Sequence, residues 1–241
     1  MKWLRKITFT APLFQTSKRN AILWISITIL LILKIYEGDH KFFTEHFQHL
    51  NDGSEWFLWN KWLWHHGASL LLFFLIPVLT IKFVLKEKLA DFGLKIGDYK
   101  VGLKATLITF IIMPFIVYNS AQNPDHHEFY STHFPLDLAT QSGWMFVLWA
   151  ISYLPHYIGW EFFFRGFIQF GFKEKMGLFG AIMFQTLLTA LMHIGKPEGE
   201  TWGAVAGGIY MGLLTFRTGS IYYALIFHFY LGLLNTYFCS L

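Results

Sequence analysis

Apolar segments recur along most of this chain, at residues 21–35, 67–86, 103–120, 142–173, 177–194, 203–216 and 220–238. Several approach the roughly 20 residues that carry a helix across a hydrocarbon core of about 30 Å. Inside a bilayer no water meets the backbone N–H and C=O groups, so spans of this kind fold as helices. Hydrophobic residues make up 54% of the chain and charged residues only 14%, against about 25% charged in soluble domains. The expectation is therefore an all-α, polytopic membrane helical bundle. The run at 142–173 would be roughly 48 Å long as one helix, and Pro155 offers a break within it. Seven or eight transmembrane helices follow, depending on how that run divides.

Charge orients the bundle. Lys2, Arg5, Lys6, Lys18 and Arg19, the Lys82/Lys86/Lys88 block with Lys95 and Lys100, the Lys173/Lys175 pair and Arg217 flank apolar runs and fit a cytoplasmic side. Segments 37–66 and 121–141 carry Asp39, His40, Glu45, Asp52, Asp125, His126, His127 and Glu128 and fit the opposite side. There Trp56, Trp59, Trp62 and Trp64 suggest an interfacial helix in the aromatic belt. The net charge of +4 is thus explained by topology, and no nucleic-acid partner is expected. The single cysteine, Cys239, excludes an internal disulfide and a cysteine zinc site. It stands one position off a prenylation box. The first apolar run ends in Lys34, Tyr36, Glu37 and Gly38 without a small-residue cleavage site, which favours a retained span over a signal peptide.

Against this apolar background the run Gly159-Trp160-Glu161-Phe162-Phe163-Phe164-Arg165-Gly166 is the sharpest functional signal. Glu161 and Arg165 are four residues apart, so an α-helix sets them on one face. A charge near a bilayer centre costs about 2.5–3.5 kcal/mol and is tolerated mainly beside a protein interior or a wet cavity. His193 and His228 lie on later helices at compatible depths. Counting about 1.5 Å per residue from the helix ends puts Glu161, His193 and His228 in the central to outer membrane. A carboxylate beside an imidazole can deprotonate a water, and a second imidazole can donate to an oxyanion. Arg165 suits anchoring, since guanidinium stays charged. No serine elbow is evident. Glu161, His193 and His228 also offer three ligands for a divalent metal such as zinc, and the same groups work without one. Gly203, Gly207, Gly208 and Gly212 form overlapping small-residue patterns that let two helices approach closely.

The order Glu-x3-Arg-Gly, a His closing the next helix and a His in the last helix resembles the CPBP intramembrane protease family, also called Abi or CAAX-protease-like. Leu89-Ala90-Asp91-Phe92-Gly93-Leu94 and Met192-His193-Ile194-Gly195-Lys196-Pro197 are similar to further motifs of that family. The resemblance covers residues 142–238 and implies N-terminal transmembrane helices with interfacial loops over 1–141 and a protease core over 142–241. It implies catalytic roles for His193 and His228, and a supporting role for Glu161. Where the family has a first, water-activating glutamate, this chain has Trp160. The phenylalanine expected before the second-motif histidine is Thr189, and the asparagine expected after the last histidine is Gly232, with Asn235 further along nearly the same face. The base is therefore Glu161 itself, or Glu198 or Glu200 folded back from the loop after His193. The expected function is an intramembrane endopeptidase acting on a membrane-associated protein or peptide, with Glu161 and His193 activating water, His228 stabilising the oxyanion and Arg165 orienting Glu161. A degenerate pseudoprotease or immunity-type protein acting by binding is the alternative. The expected location is a bacterial inner membrane with the N-terminus in the cytoplasm.

Overall fold

A computed structural model describes residues 16–241; the basic residues Lys2, Arg5 and Lys6 lie outside them. Among the described residues the chain is helical throughout, with no strand. Helix α1 (Lys18–Tyr36) starts where Ser17 Oγ accepts the Asn20 amide at 3.1 Å. It buries Leu23, Ile27, Leu30 and Lys34, one stripe at helical spacing, and leaves Ile25, Ile29 and Ile32 exposed. An outward apolar face of this kind suits lipid.

A short helix α2 (His40–Phe47), capped by Asp39, leads into α3 (Glu55–Leu85). The tryptophans of 56–64 are not a separate interfacial helix. They form the first turns of α3, where Trp59 and Trp62 are buried against Trp149 and Phe134. After a turn at Leu89–Phe92, α4 (Tyr99–Ala121) starts at Asp98. Helices α5 (Pro124–His133) and α6 (Leu136–Thr140) follow, both far shorter than a span. Helices α1, α3 and α4 are the three that length and hydropathy alone mark as able to cross a membrane.

Helix α7 (Gly143–Glu161) starts at the Ser142 cap and runs through Pro155 without a break. The expected division of 142–173 at Pro155 does not occur. Instead α7 passes directly into a π-helical stretch, Phe162–Phe170, and then into α8 (Gly171–Leu191). The true turn is Gly177, at φ 69°, a backbone state that side-chain-bearing residues rarely adopt. Helices α9 (Glu198–Thr218) and α10 (Tyr222–Phe238) complete the bundle.

All nine residues of the π-helical stretch are buried, which makes it the axis around which the other helices pack. Phe163 stacks on Phe73 of α3 with ring centroids 4.1 Å apart, and Phe92 plugs the lower end against Phe167. At that end Arg19 clamps Glu87 at 2.6 Å and the Gly171 carbonyl at 2.7 Å. Asp98 pairs with Arg217 at 2.8 Å. The Val101 amide and the Arg217 guanidinium hold its carboxyl below the usual carboxylate range.

Helices α3 and α7 approach so closely that a Cβ on Gly159 would meet the Ser69 carbonyl. A backbone obstacle cannot rotate away, so Gly159→Ala is expected to destabilise by about 1–3 kcal/mol, seen as a lower thermal midpoint in detergent. Small residues also bring α9 onto α8 and the π-helical stretch. Gly208 faces Thr186, and Gly212 faces Gln169 and Gln185. Gly203 and Gly207 do not share this packing role: they line an open cavity.

Candidate active site

Glu161 is the last α-helical residue before the π-helical stretch, where backbone bonds shift from i→i+4 to i→i+5. Its Oε1 accepts from Arg165 Nη1 at 3.1 Å and from His228 Nδ1 at 2.6 Å. Glu161 and Arg165 are 0% and 1% exposed. A carboxylate only accepts, so His228 Nδ1 carries the proton of that bond. His228 thereby has one ring edge fixed by Glu161 and lines the cavity with the rest. Glu161 itself does not line the cavity.

His193 sits just beyond the end of α8. Its Nδ1 is 2.7 Å from the Thr189 carbonyl, which can only accept, so Nδ1 is the protonated nitrogen. The lone pair on Nε2 is left free and lies 4.0 Å from Glu200 Oε1. Glu200 belongs to the first turn of α9, not to a loop. It is held by Lys196 Nζ at 2.5 Å, one helical turn away, and by Tyr130 Oη of α5 at 2.7 Å. Glu198, by contrast, is exposed and bonds Trp202.

Both histidines, Glu200 and Asn235 line one cavity of about 1190 Å³. Trp160 stands between the histidines, its ring 5.6 Å from His193 and 6.4 Å from His228. It occupies the place of a missing carboxylate with an apolar wall. At Gly232 a Cβ would collide with the Tyr157 hydroxyl, so Tyr157 occupies the room that a side chain there would need. Asn235 Oδ1 accepts from His126 Nε2 at 2.7 Å, which leaves the Asn235 amide protons free. Through His126 and Tyr130, α5 is latched across the cavity on two of its polar residues.

The structure therefore groups the candidates in two pairs, Glu161 with His228 and Glu200 with His193. The expectation from sequence joined Glu161 to His193, but no hydrogen bond or ion pair connects them. Burial on the central helix turns Glu161 towards α10 and seals it from the cavity. Tyr130 and His126 had no readable signal, since they sit in a polar segment without periodicity. Lys196 did have one: it stands four residues before Glu200 at helix spacing.

Glu161, His193 and His228 do not converge as a metal site. Among the described residues the only three metal-ligating groups whose donor atoms lie within 4.8 Å of one another are Asp39, His40 and His65. In the other set the Glu161 oxygen that meets His228 is already bonded to a guanidinium. A cation placed there would face the buried charge of Arg165, which opposes binding. The chemistry available is that of imidazole, carboxylate and water.

The family model for Type II CAAX prenyl endopeptidase Rce1-like proteins matches residues 142–234. That span holds Glu161, Arg165, His193, Glu200 and His228. No curated protein and no solved structure matches the chain. Three helices apolar enough to cross a membrane agree with a membrane protein. With that match, and with the residues of that span gathered around one cavity, residues 142–234 are similar to the Type II CAAX prenyl endopeptidase Rce1-like proteins.

Proposed function

We propose that the protein is an intramembrane endopeptidase that hydrolyses a peptide bond in a membrane-associated protein or peptide, using His193 as the base. The observation that carries this reading is the free Nε2 lone pair of His193, 4.0 Å from the partly buried Glu200 carboxylate inside a cavity. His193 Nε2 takes a proton from a water, and the resulting hydroxide adds to the carbonyl carbon. Glu200, 4.0 Å away, stabilises the imidazolium that forms. The carbonyl oxygen becomes an oxyanion and accepts from Nε2–H of His228 in its doubly protonated form, whose Nδ1–H stays on the Glu161 carboxylate. Collapse of the adduct breaks the C–N bond, and His193 returns its proton to the leaving nitrogen. Glu161 fixes the orientation of His228, and Arg165 fixes Glu161.

In this reading α1, α3, α4, α7 with its π-helical extension, the part of α8 after Gly177, α9 and α10 are seven spans. The N-terminus is cytoplasmic, in a bacterial inner membrane, and the cavity lies in the outer half. The prenyl group in the matching family's name makes a lipid-modified peptide the first substrate class to try. The test is cleavage of fluorogenic peptides and lipopeptides by purified, reconstituted protein. Glu200→Gln is expected to lower kcat by about 10- to 100-fold, the worth of one charged contact, with a smaller change in KM. Undiminished cleavage by that variant would remove Glu200 from the mechanism.

A further inference from the structure

The junction of α1, α2 and α3 brings together a carboxylate and two imidazoles that the reaction above does not use. Asp39 precedes α2 and His40 opens it, while His65 lies on α3. One Asp39 oxygen, Oδ1, accepts the Lys41 amide at 3.0 Å and caps α2. The other, Oδ2, faces both rings, 3.4 Å from His40 Nδ1 and 3.7 Å from His65 Nδ1. Both separations exceed the about 2.7–3.2 Å of ordinary hydrogen bonds, and His40 Nδ1 is buried without a hydrogen-bond partner. They match instead the edges of a metal tetrahedron, since donors about 2.1 Å from a zinc ion stand roughly 3.4 Å apart. All three donor atoms lie within 4.8 Å of one another.

Packing fixes both rings. His40 stacks on Trp62 with centroids 5.0 Å apart, and His65 meets the same indole edge-on at 5.2 Å. Trp62 is itself anchored, its Nε1 donating to the His133 carbonyl at 2.7 Å. Rings locked by their surroundings make a preorganised ligand set.

Lys34 also reaches this site. Its Nζ is 3.1 Å from Nδ1 and 3.2 Å from Nε2 of His65. A point so nearly equidistant from both nitrogens lies over the ring face, off the line of either in-plane lone pair. Its hydrogen bond goes to the Gly38 carbonyl at 2.8 Å. Lys34 therefore leaves the Nδ1 lone pair open to a metal, and opposes one only to the extent that it is charged. At Glu161, by contrast, the guanidinium occupies the donor oxygen itself. Asp39, His40 and His65 all line the main cavity, which gives an ion its entry and a water its place as fourth ligand.

We infer that Asp39, His40 and His65 form a binding site for one divalent transition-metal ion of the zinc class, which ties the α1–α2 junction to α3. Two imidazole nitrogens with one carboxylate favour zinc over magnesium or calcium. The site lies outside residues 142–234 and does not rest on the peptidase reading.

The test is a zinc titration of the full chain in nanodiscs, stripped of metal and freed of its purification tag, in competition with a chromophoric chelator. One equivalent should bind per chain, with no comparable binding of Mg²⁺, and zinc should raise the thermal midpoint. Asp39→Asn keeps the cap of α2 while removing the ligand charge. It and His65→Ala should each weaken zinc binding by about 100-fold or more and abolish the thermal shift. Lys34→Met should tighten binding by up to about tenfold, and His193→Ala should leave it unchanged. Metal-free thermal midpoints identify any variant that fails to fold. Absence of stoichiometric zinc binding, or unchanged affinity in folded Asp39→Asn and His65→Ala, would overturn the site and leave the cluster an ion pair. Binding lost in His193→Ala but kept in His65→Ala would assign the ion to the catalytic pair and overturn it equally. Zinc binding at these residues in a wild-type protein that cuts no peptide would keep the site and sink only the peptidase reading.

Discussion

His193→Ala is expected to lower kcat for peptide hydrolysis by about 10²- to 10⁴-fold, the usual worth of a positioned general base. The ring's Nδ1 bond to Thr189 is local, one turn along the same helix. Losing it costs little beyond about 1 kcal/mol, so the thermal midpoint should stay near wild type. Substrate affinity should also hold, because the cavity walls remain. A fall in kcat with KM preserved and folding intact is the pattern of a group acting in the transition state. A variant that loses activity together with its thermal transition would point to a structural imidazole.

Glu161→Gln should behave in the opposite way. Glu161 and Arg165 are both fully buried, and the amide leaves the guanidinium charge without its counter-charge. Breaking a buried pair by removing one partner costs about 3–5 kcal/mol, so the single variant should be strongly destabilised. Replacing both, as Glu161→Gln with Arg165→Met, removes the stranded charge and should recover much of that loss. Thermal melts of the two singles and the double in one detergent give the coupling directly. If the double loses as much as the sum of the singles, the pair is not a unit. Lost activity in Glu161→Gln alone therefore says little about chemistry, whereas in the refolded double it reports on His228.

The helical class and the charged pair were legible in the residues because both rest on local rules. Apolar runs and flanking lysines mark helices in a bilayer, and the i,i+4 spacing put Arg165 beside Glu161. Pro155 misled, since a proline within a long apolar helix is held by its neighbours and need not break it. The change to π-helical winding after Glu161 leaves no mark on periodicity, yet it sets which way the carboxylate turns. The pairing of Glu200 with His193 depends on α5 arriving from sixty or more residues upstream to hold the carboxylate through Tyr130. Such a contact is tertiary and has no spacing to read. Lys34 was hidden for a similar reason: it read as the polar end of a span, and only the packing of α3 buries it.

The most direct test of the central claim is cleavage of a lipopeptide by the wild-type protein and His193→Ala in proteoliposomes made with heavy-oxygen water. Mass spectrometry then reads the products. The account predicts a single cut in the wild type, one heavy oxygen in the new carboxylate, and turnover about 10²- to 10⁴-fold slower in the variant. Cleavage by a well-folded His193→Ala at the wild-type rate would contradict it.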